Sequence, residues 1–395
     1  MVNLDAPQID LSKDQSNALT NLLSWYKDTN KSAYITLGGY AGTGKTTLIA
    51  KLRTELKKND PNLRISFCTY TGKASRVLND KLKNFQAIFP EDTLSTIHSL
   101  IYSPKVDDNE NIIGWGRKEK LQTDLIIVDE GSMVDASIWS DLRSYEKPIL
   151  VVGDHGQLSP INGNFNLMEN PHLKLQEIHR QEKDNPIIKL SIMARETGTI
   201  PPGKYSDYIT KISRNDEEAK FFMEEIMSNY RDDTLYLCGF NNTRVKLNNY
   251  MRSVLQIFEP NPQTNDRVVC LRNNHQEKIF NGMLGKIEFV EETAEEDWLF
   301  ASINLEGNQN YKGLIYKKQF NNIASMNYTD KRSDTMKGDL FDFGYALTVH
   351  KAQGSEAKRV VLFEERFPKM DEAAWRKWLY TAVTRAKEEL YIIGR

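Results

Sequence analysis

Short apolar runs rich in β-branched residues alternate with segments of helical period along most of this 395-residue chain. That alternation is the pattern of a parallel α/β sheet. The first half predicts strands at 32–39 (SAYITLGG), 64–70 (RISFCTY), 124–130 (DLIIVDE) and 148–154 (PILVVGD). Between the first two, TTLIAKLRTELKKN sets Leu48, Ile49, Leu52 and Leu56 on one helical face, as a crossover helix requires. The second half repeats the alternation with TLYLCGF (234–240), a helical RVKLNNYMRSVLQ, then YALTVHKAQG, RVVLFEE, a helix through WRKWLYTAVTRAK and a last strand LYIIG.

Residues 265–341 break that rhythm. DRVVCLRN, LGKIEFV and LFASINL are short alternating strands joined by polar turns, the acidic EETAEED among them. They predict a small β-barrel inserted within the second lobe. Inside it YKGLIYKKQFNN mixes aromatics with lysines, as a single-strand-binding surface would; a solvated strand face fits the same residues. Residues 101–122 interrupt the first lobe between two strands, and their polar DDNEN turn predicts a protruding hairpin. The expected organisation is one α/β domain over 1–175, a second formed by 176–264 and 342–395, and the inserted barrel over 265–341.

Composition narrows the class only slightly. No apolar run is long enough to span a bilayer, and MVNLDAPQIDLSKDQ lacks the basic start and apolar stretch of an export signal. A cytoplasmic protein of a bacterial or phage-infected cell is expected. The net charge of −2 neither suggests nor excludes nucleic acid, because a groove can be basic on a neutral protein. Cys68, Cys238 and Cys270 stand far apart with no CxxC pair, which argues against structural zinc, iron–sulfur clusters and disulfides.

Three patterns carry chemistry. GYAGTGKT, residues 39–46, matches the phosphate-loop spacing and sits after a strand and before a helix. Its glycines let backbone N–H groups curl around phosphates, Lys45 would neutralise the β- and γ-phosphates, and the Thr46 hydroxyl would ligate Mg²⁺. Four apolar residues lead into Asp129 and Glu130, where Asp129 would hold the magnesium shell and Glu130 would orient and deprotonate the attacking water. GDHGQLSP (153–160) follows another apolar strand, and the Gln157 amide is placed to meet a γ-phosphate oxygen; a plain loop fits too.

Taken in order, these and further segments resemble the superfamily 1 helicases of the RecD/Dda type (branch 1B), over nearly the whole chain. LSKDQSNAL resembles that family's Q motif, TYTGKASRVL and TLSTIHSLI its motifs Ia and Ib, VDEGSM and GDHGQLSPI motifs II and III, and LQEIHRQ motif IV. GFNNTRVKLNN resembles the next DNA-contacting motif, LTVHKAQGSE motif V and YTAVTRAK motif VI. The resemblance implies two RecA-like P-loop domains, an SH3-like barrel in the second, and a pin-like hairpin at 101–122. It implies ATP and Mg²⁺ as cofactors. Gln15 would read the adenine edge and His179 would stack on the base. Gly39, Ala41, Gly42, Thr43, Gly44, Lys45, Thr46, Thr47 and Glu356 would line the rest of the nucleotide site, and Arg180 and Arg385 would serve as arginine fingers. A surface salt bridge is the alternative for either arginine.

DNA contacts are expected from Thr71, Thr96 and His98 in the first lobe and from Asn242, Thr243, Thr348 and His350 in the second, with Trp115 facing bases from the hairpin. Packing within the core or loops is the alternative for Trp115 and for His98, His155, His179 and His350. The implied activity is an ATP-dependent DNA helicase moving 5′→3′ on single-stranded DNA and at single-strand/duplex junctions. The expected form is a near-minimal monomeric motor, with a single-strand-binding or replication protein as candidate partner. An RNA translocase with the same motor is the nearest rival, since backbone and stacking contacts separate the sugars only weakly. A P-loop enzyme acting on a small molecule leaves YTAVTRAK and LTVHKAQG unexplained, and a non-enzymatic relic would not be expected to keep Lys45, Asp129 and Glu130.

Overall fold

A computed structural model describes residues 10–106, 112–159, 165–178, 185–274, 277, 279–307, 309–326 and 337–395. The chain divides into two compact units, Met1–Ile188 and Lys189–Arg395. The first is built on a six-stranded sheet of β1 (Tyr34–Gly39), β2 (Ile65–Thr69), β3 (Thr93–Thr96), β6 (Leu125–Asp129), β7 (Ile149–Gly153) and β8 (Leu173–Leu175). Its order is β3-β2-β6-β7-β1-β8 and every pairing is parallel. Helices α1 (Lys13–Lys27), α2 (Lys45–Asn59), α3 (Gly72–Asn84), α4 (Ile97–Ile101) and α5 (Ala136–Arg143) complete it.

The period of two along each strand sorts the core onto two faces. Leu37, Ile65, Phe67, Leu125, Ile127, Leu150 and Val152 pack on one side, with Leu22 of α1 and Leu48, Ile49, Leu52 and Leu56 of α2. Their neighbours Cys68, Ile126, Val128, Ile149 and Val151 pack on the other, with Trp139 and Leu142 of α5. Strands β4 (Tyr102–Val106) and β5 (Ile112–Arg117) pair antiparallel apart from the main sheet, within the segment predicted as a hairpin.

The second unit carries a six-stranded sheet in the order β17-β11-β18-β19-β10-β9. These strands are β9 (Gly203–Ser206), β10 (Ile209–Ser213), β11 (Thr234–Cys238), β17 (Ala346–Thr348), β18 (Ala357–Phe363) and β19 (Ala386–Gly394). Only the β9–β10 pair at the edge is antiparallel. Its helices are α6 (Pro186–Thr197, which carries the unit boundary), α7 (Ala219–Ser228), α8 (Asn241–Val254) and α9 (Glu372–Val383). A second, antiparallel sheet has the order β15-β14-β13-β12-β16, from β12 (Arg267–Cys270), β13 (Leu284–Glu292), β14 (Trp298–Leu305), β15 (Gln309–Tyr316) and β16 (Phe341–Phe343). Its edges meet: Tyr316 N–H donates to the Asp339 carbonyl at 3.1 Å and Asp339 N–H to that of Leu314 at 2.8 Å. The expected boundary at 341 therefore falls inside β16, which pairs with β12 and belongs to this sheet.

A polar stripe on α8 joins the two sheets of this unit. Arg244, Asn248 and Arg252, spaced four apart, are all buried. Arg244 donates to Asp342 at 2.5 Å and to the Asn322 carbonyl at 2.6 Å. Asn248 bridges the Phe343 carbonyl and the Ala346 N–H, and Arg252 forks onto Asp266 and reaches the carbonyls of Glu259 and Asn261. One hydrophobic core runs from Tyr236 and Cys238 of β11 to Val268, Ile303 and Phe341 of the antiparallel sheet.

Residues 311–322 turn out to be a structural face. Tyr311, Tyr316 and Phe320 are buried, while Lys317 pairs with Glu292 at 2.9 Å and Lys318 with Asp297 at 2.6 Å. The acidic turn neutralises these lysines, which displaces the expected single-strand-binding surface.

A fully buried ion pair holds α2 against the opposite sheet end. Arg53 Nε donates to both Asp92 carboxylate oxygens, at 2.8 and 3.1 Å, and Arg53 stacks on Phe89. Asp92 also accepts from the backbone N–H groups of Ile65 and Phe89. Removing one charge from such a pair strands the other in a medium that cannot solvate it. Asp92→Ala is expected to lower unfolding stability by about 3–5 kcal/mol, measured by urea denaturation against the parent chain.

Candidate nucleotide site and nucleic-acid interface

The carboxyl edge of the first sheet collects the sequence motifs in strand order. Because β6, β7 and β1 are neighbours, the loops after them, 129–130, 154–157 and 39–46, leave the same edge. A β-carbon on Gly39 would lie 2.6 Å from Thr43 Oγ1 and 3.1 Å from Lys45 Cγ, so the phosphate loop closes only on glycine there. Gly42 and Gly44 have φ of 77° and 71°. Gly44 is the N-cap of α2 and no side chain caps that helix, which leaves its first-turn N–H groups and dipole directed at an anion.

Lys45 Nζ donates to the carbonyls of Gly39 at 2.7 Å and Tyr40 at 3.0 Å, and so lies across the loop. Ala41, Thr46 and Thr47 are half-buried around it. Thr43 is fully buried, and its hydroxyl donates to the Tyr40 carbonyl at 2.8 Å; its side chain shapes the loop rather than facing a ligand.

Gln15 also serves the loop. It is fully buried, and its Nε2 donates to the carbonyls of Thr43 and Gly44 at 3.1 and 3.3 Å. Its Oε1 closes a capping box with Ser12 at the start of α1. A side chain so committed has no face for adenine, which corrects the expected role. Beside it, Asp14 accepts from the N–H groups of Gln176 at 2.7 Å and Glu177 at 2.8 Å, anchoring the chain beyond β8. Burial works against its charge, but these N–H groups, with the Ser12 hydroxyl and the Gln15 N–H, hold its carboxyl below the usual carboxylate range.

The acidic turn is strained. Glu130 adopts a left-handed conformation, φ 56° and ψ 40°, and its N–H donates to Asp129 Oδ1 at 3.0 Å. Gly131 follows with no room for a β-carbon against Val151. Burial raises the Asp129 carboxyl, while the Glu130 N–H, Lys45 and Lys81 work in the opposite sense. The phosphate-loop lysine is thus within electrostatic reach of Asp129. Gln157 is 6 % exposed and its Oε1 has no hydrogen-bond partner among the described residues, an acceptor held ready in a dry place. An uncapped helix start, a glycine cradle and an orphan acceptor together fit a nucleoside triphosphate. Among the described residues no group of three or more His, Cys, Asp or Glu could hold a metal, so Mg²⁺ would depend on Asp129, Thr46 and the phosphates themselves. His179 and Arg180 lie outside the described residues.

Farther along the same edge, β2 and β3 lead into the residues expected to contact DNA. Thr71 caps α3, accepting from Ala74 N–H at 3.2 Å. Thr96 caps α4 and is buried, accepting from Ser99 N–H at 3.1 Å, which leaves it no surface for DNA. His98 packs its ring 4.5 Å from Tyr102 and 4.9 Å from Trp115. Trp115 therefore rests edge-on against His98, the packing alternative rather than a free base-facing ring.

In the second unit, Thr348 ends β17 and its hydroxyl accepts from Lys351 N–H at 3.3 Å. Asn242 is exposed at the start of α8. Thr243 donates to Glu365 Oε1 at 2.7 Å, and Glu365 Oε2 accepts from the N–H groups of Gly239 and Phe240 at 2.9 and 3.1 Å. Glu365 thereby supplies the anion that the start of α8 needs, and it engages the hydroxyl expected to meet DNA. Phe367 lies 4.6 Å from Phe240 and 6.4 Å from His350, ring to ring. Sequence reasoning missed both Glu365 and Phe367; each lies more than 100 residues from the α8 start it serves, and no local spacing marks either.

Arg385 is buried and donates to the carbonyls of Thr381 at 3.0 Å and Ser355 at 3.1 Å, and to Thr384 Oγ1 at 3.2 Å. The expected finger is here a tie between the end of α9 and the segment after β17. Glu356, expected at the nucleotide, is exposed and pairs with Lys387 at 3.1 Å. Burial raises all three cysteine thiols, Cys270 to about 12, so these are inert packing residues. No helix of the described residues is long and apolar enough to cross a membrane.

Comparison with known proteins agrees with this geometry. A family model described as an AAA domain matches residues 10–208, half of the chain, and one described as a UvrD-like helicase C-terminal domain matches 343–393. The chain belongs to the AAA-domain family, and it is similar to superfamily 1 helicases of the RecD/Dda type. It is 27 % identical to the ATP-dependent RecD2 DNA helicase of Deinococcus radiodurans, over 97 % of this chain and 49 % of that protein. It is 26 % identical to the RecBCD enzyme subunit RecD of Buchnera aphidicola, over 96 % of this chain and 74 % of that one. The ATP-dependent DNA helicase dda of phage T4 is 31 % identical over 40 % of this chain. The chain thus spans about half the length of its Deinococcus relative. Among solved structures, Bacteroides Pif1 helicase in complex with ADP-AlF3 and ssDNA shares the fold, with a TM-score of 0.56 and 15 % identity, covering 98 % of this chain and 92 % of that one.

One residue of the LTVHKAQGSE segment stands out electrostatically. Lys351 donates to Asn281, and burial, reinforced by Arg244, pushes its ammonium down to about 8 against the pull of Cys270 and Asp342. Between about 8 and the ordinary lysine value of about 10.4 the unfolded chain binds more protons at this residue than the folded one. Raising pH through that window therefore favours folding, and Lys351→Met is expected to remove this contribution in chemical denaturation at pH 8 and pH 10. NMR titration of the side chain should give a midpoint near 8.

Proposed function

We propose that this protein is an ATP-dependent DNA helicase that moves 5′→3′ on single-stranded DNA and separates duplexes at single-strand/duplex junctions in replication, recombination or repair. The convergence of Lys45, Asp129, Glu130 and Gln157 on one edge of the first sheet carries the reading. The names of the RecD, RecD2 and Dda relatives support DNA as the track.

In this reading Lys45 exchanges the carbonyls of Gly39 and Tyr40 for the β- and γ-phosphates. Glu130, aimed by its left-handed backbone, accepts the proton of the attacking water, and Gln157 Oε1 accepts a hydrogen bond from that water. Thr46 and Asp129 would hold Mg²⁺, which when bound would supply neutralisation of phosphate charge. Arg180 and Arg385 meet the charge that develops on the γ-phosphate. For Arg385 this means leaving Ser355 and Thr381, so the tie between motifs V and VI loosens as ATP is engaged. Residues 1–175 and 176–264 with 344–395 form the two RecA-like domains, and the antiparallel sheet from β12 to β16 is the SH3-like insert. Thr71, Asn242, Thr348 and His350 contact the DNA backbone, and the β4–β5 pair acts as the pin. The protein works as a monomer, with a single-strand-binding or replication protein as partner.

ATP hydrolysis measured with and without single-stranded DNA or RNA tests the proposal. Single-stranded DNA is expected to stimulate turnover, and absence of stimulation by either polymer would sink the helicase reading; a preference for RNA would replace it by an RNA translocase. Lys45→Ala and Glu130→Gln are expected to lower kcat by at least about a hundredfold. Duplexes carrying a 5′ or a 3′ tail then report direction, with unwinding only from the 5′ tail as the expected result.

A further inference from the structure

β1 and β7 pair in a register that sets Gly38 beside Gly153. From that point β1 runs into the phosphate loop and β7 into the turn 154–157. The space above Gly38 is filled: a β-carbon there would stand 2.9 Å from His155 Nδ1 and 2.5 Å from Pro171 Cγ. His155 is thereby seated over the phosphate loop, its ring 4.1 Å from that of Tyr40, with 44° between the planes.

Tyr40 is the residue on which that loop is organised. Its carbonyl accepts from Lys45 Nζ at 3.0 Å, Thr43 Oγ1 at 2.8 Å and Thr43 N–H at 3.3 Å. On the other side of the contact, His155 belongs to a stiff turn. Asp154, buried, accepts from Gly156 N–H at 2.9 Å through its carboxylate and from Gln157 N–H at 3.3 Å through its carbonyl. Two residues beyond His155 stands Gln157, buried, with no partner for its Oε1 among the described residues.

We infer that His155 is a positioning residue for ATP hydrolysis, which by packing its ring against Tyr40 keeps Gln157 in register with the phosphate loop as Lys45 moves from the Tyr40 carbonyl to phosphate. Once Lys45 leaves, the Tyr40 carbonyl loses its charged donor, and the ring contact remains as a link between 39–46 and 154–157. The contact needs a flat ring, not a titrating one, so phenylalanine can replace histidine. The inference rests on the ATPase reading of this site.

The test is steady-state ATP hydrolysis by the full chain in saturating single-stranded DNA. His155→Ala is expected to lower kcat about three- to tenfold while leaving KM for ATP within about twofold. His155→Phe is expected to recover most of the loss, which also guards against a folding artefact. In a Gln157→Ala background, His155→Ala should cost nothing further, because both changes remove one function. Additive losses in the double variant, a change confined to KM, or a His155→Phe as impaired as His155→Ala would overturn the inference. If Gln157→Ala leaves kcat intact, the assignment of Gln157 fails and this inference with it. If Gln157→Ala is damaging and His155→Ala is not, the inference alone fails.

Discussion

The register that puts Gly38 against Gly153 is the constraint from which the nucleotide site follows. Parallel strands send their loops out at one edge, and neighbouring strands send them out in contact. With β7 between β6 and β1, the acidic turn, the Gln157 turn and the phosphate loop have no choice but to converge. Glycine at 38 and 39 then removes the side chains that would hold those loops apart, since a β-carbon at either position meets atoms from an adjoining segment. The three motifs need no dedicated scaffold; the sheet order is the scaffold.

The second unit is organised by polar rather than steric means. The buried stripe of Arg244, Asn248 and Arg252 links α8 to the antiparallel sheet, while the shared core packs behind it. Buried charge pairs of this kind cost desolvation and return it only when every donor is met. Here the guanidinium of Arg252 meets a carboxylate and two carbonyls, and that of Arg244 a carboxylate and a carbonyl. Such geometry is specific, so the insert is seated in one orientation on its own sheet. Glu365 extends the same logic to the start of α8, where an internal carboxylate sits against backbone donors and Thr243.

Strands and motifs were legible in the sequence wherever their cause was local. The runs at 34–39, 65–69, 125–129 and 149–153 are continuous apolar segments because both faces are covered. The phosphate loop is written in glycines whose φ values and missing side chains it needs. Side-chain roles set by distant partners were not legible. Gln15 reads locally as a nucleotide contact and becomes a loop clamp only through Thr43 and Gly44, 28 and 29 residues away. Lys317 and Lys318 look free beside their aromatics until the fold brings Glu292 and Asp297 to them. Short strands such as β8 and β9 escaped notice because three or four residues do not establish a period.

Glu130 carries a consequence of its own. A residue other than glycine held at φ 56° stores on the order of 1–3 kcal/mol that the surrounding structure must offset. Glycine at 130 would relieve the backbone and delete the carboxylate in one step. If Glu130 serves as the proposed base, stability and turnover pull this position in opposite directions. Laboratory evolution for heat tolerance alone would drift toward glycine or asparagine there and return a sturdier protein with an idle engine.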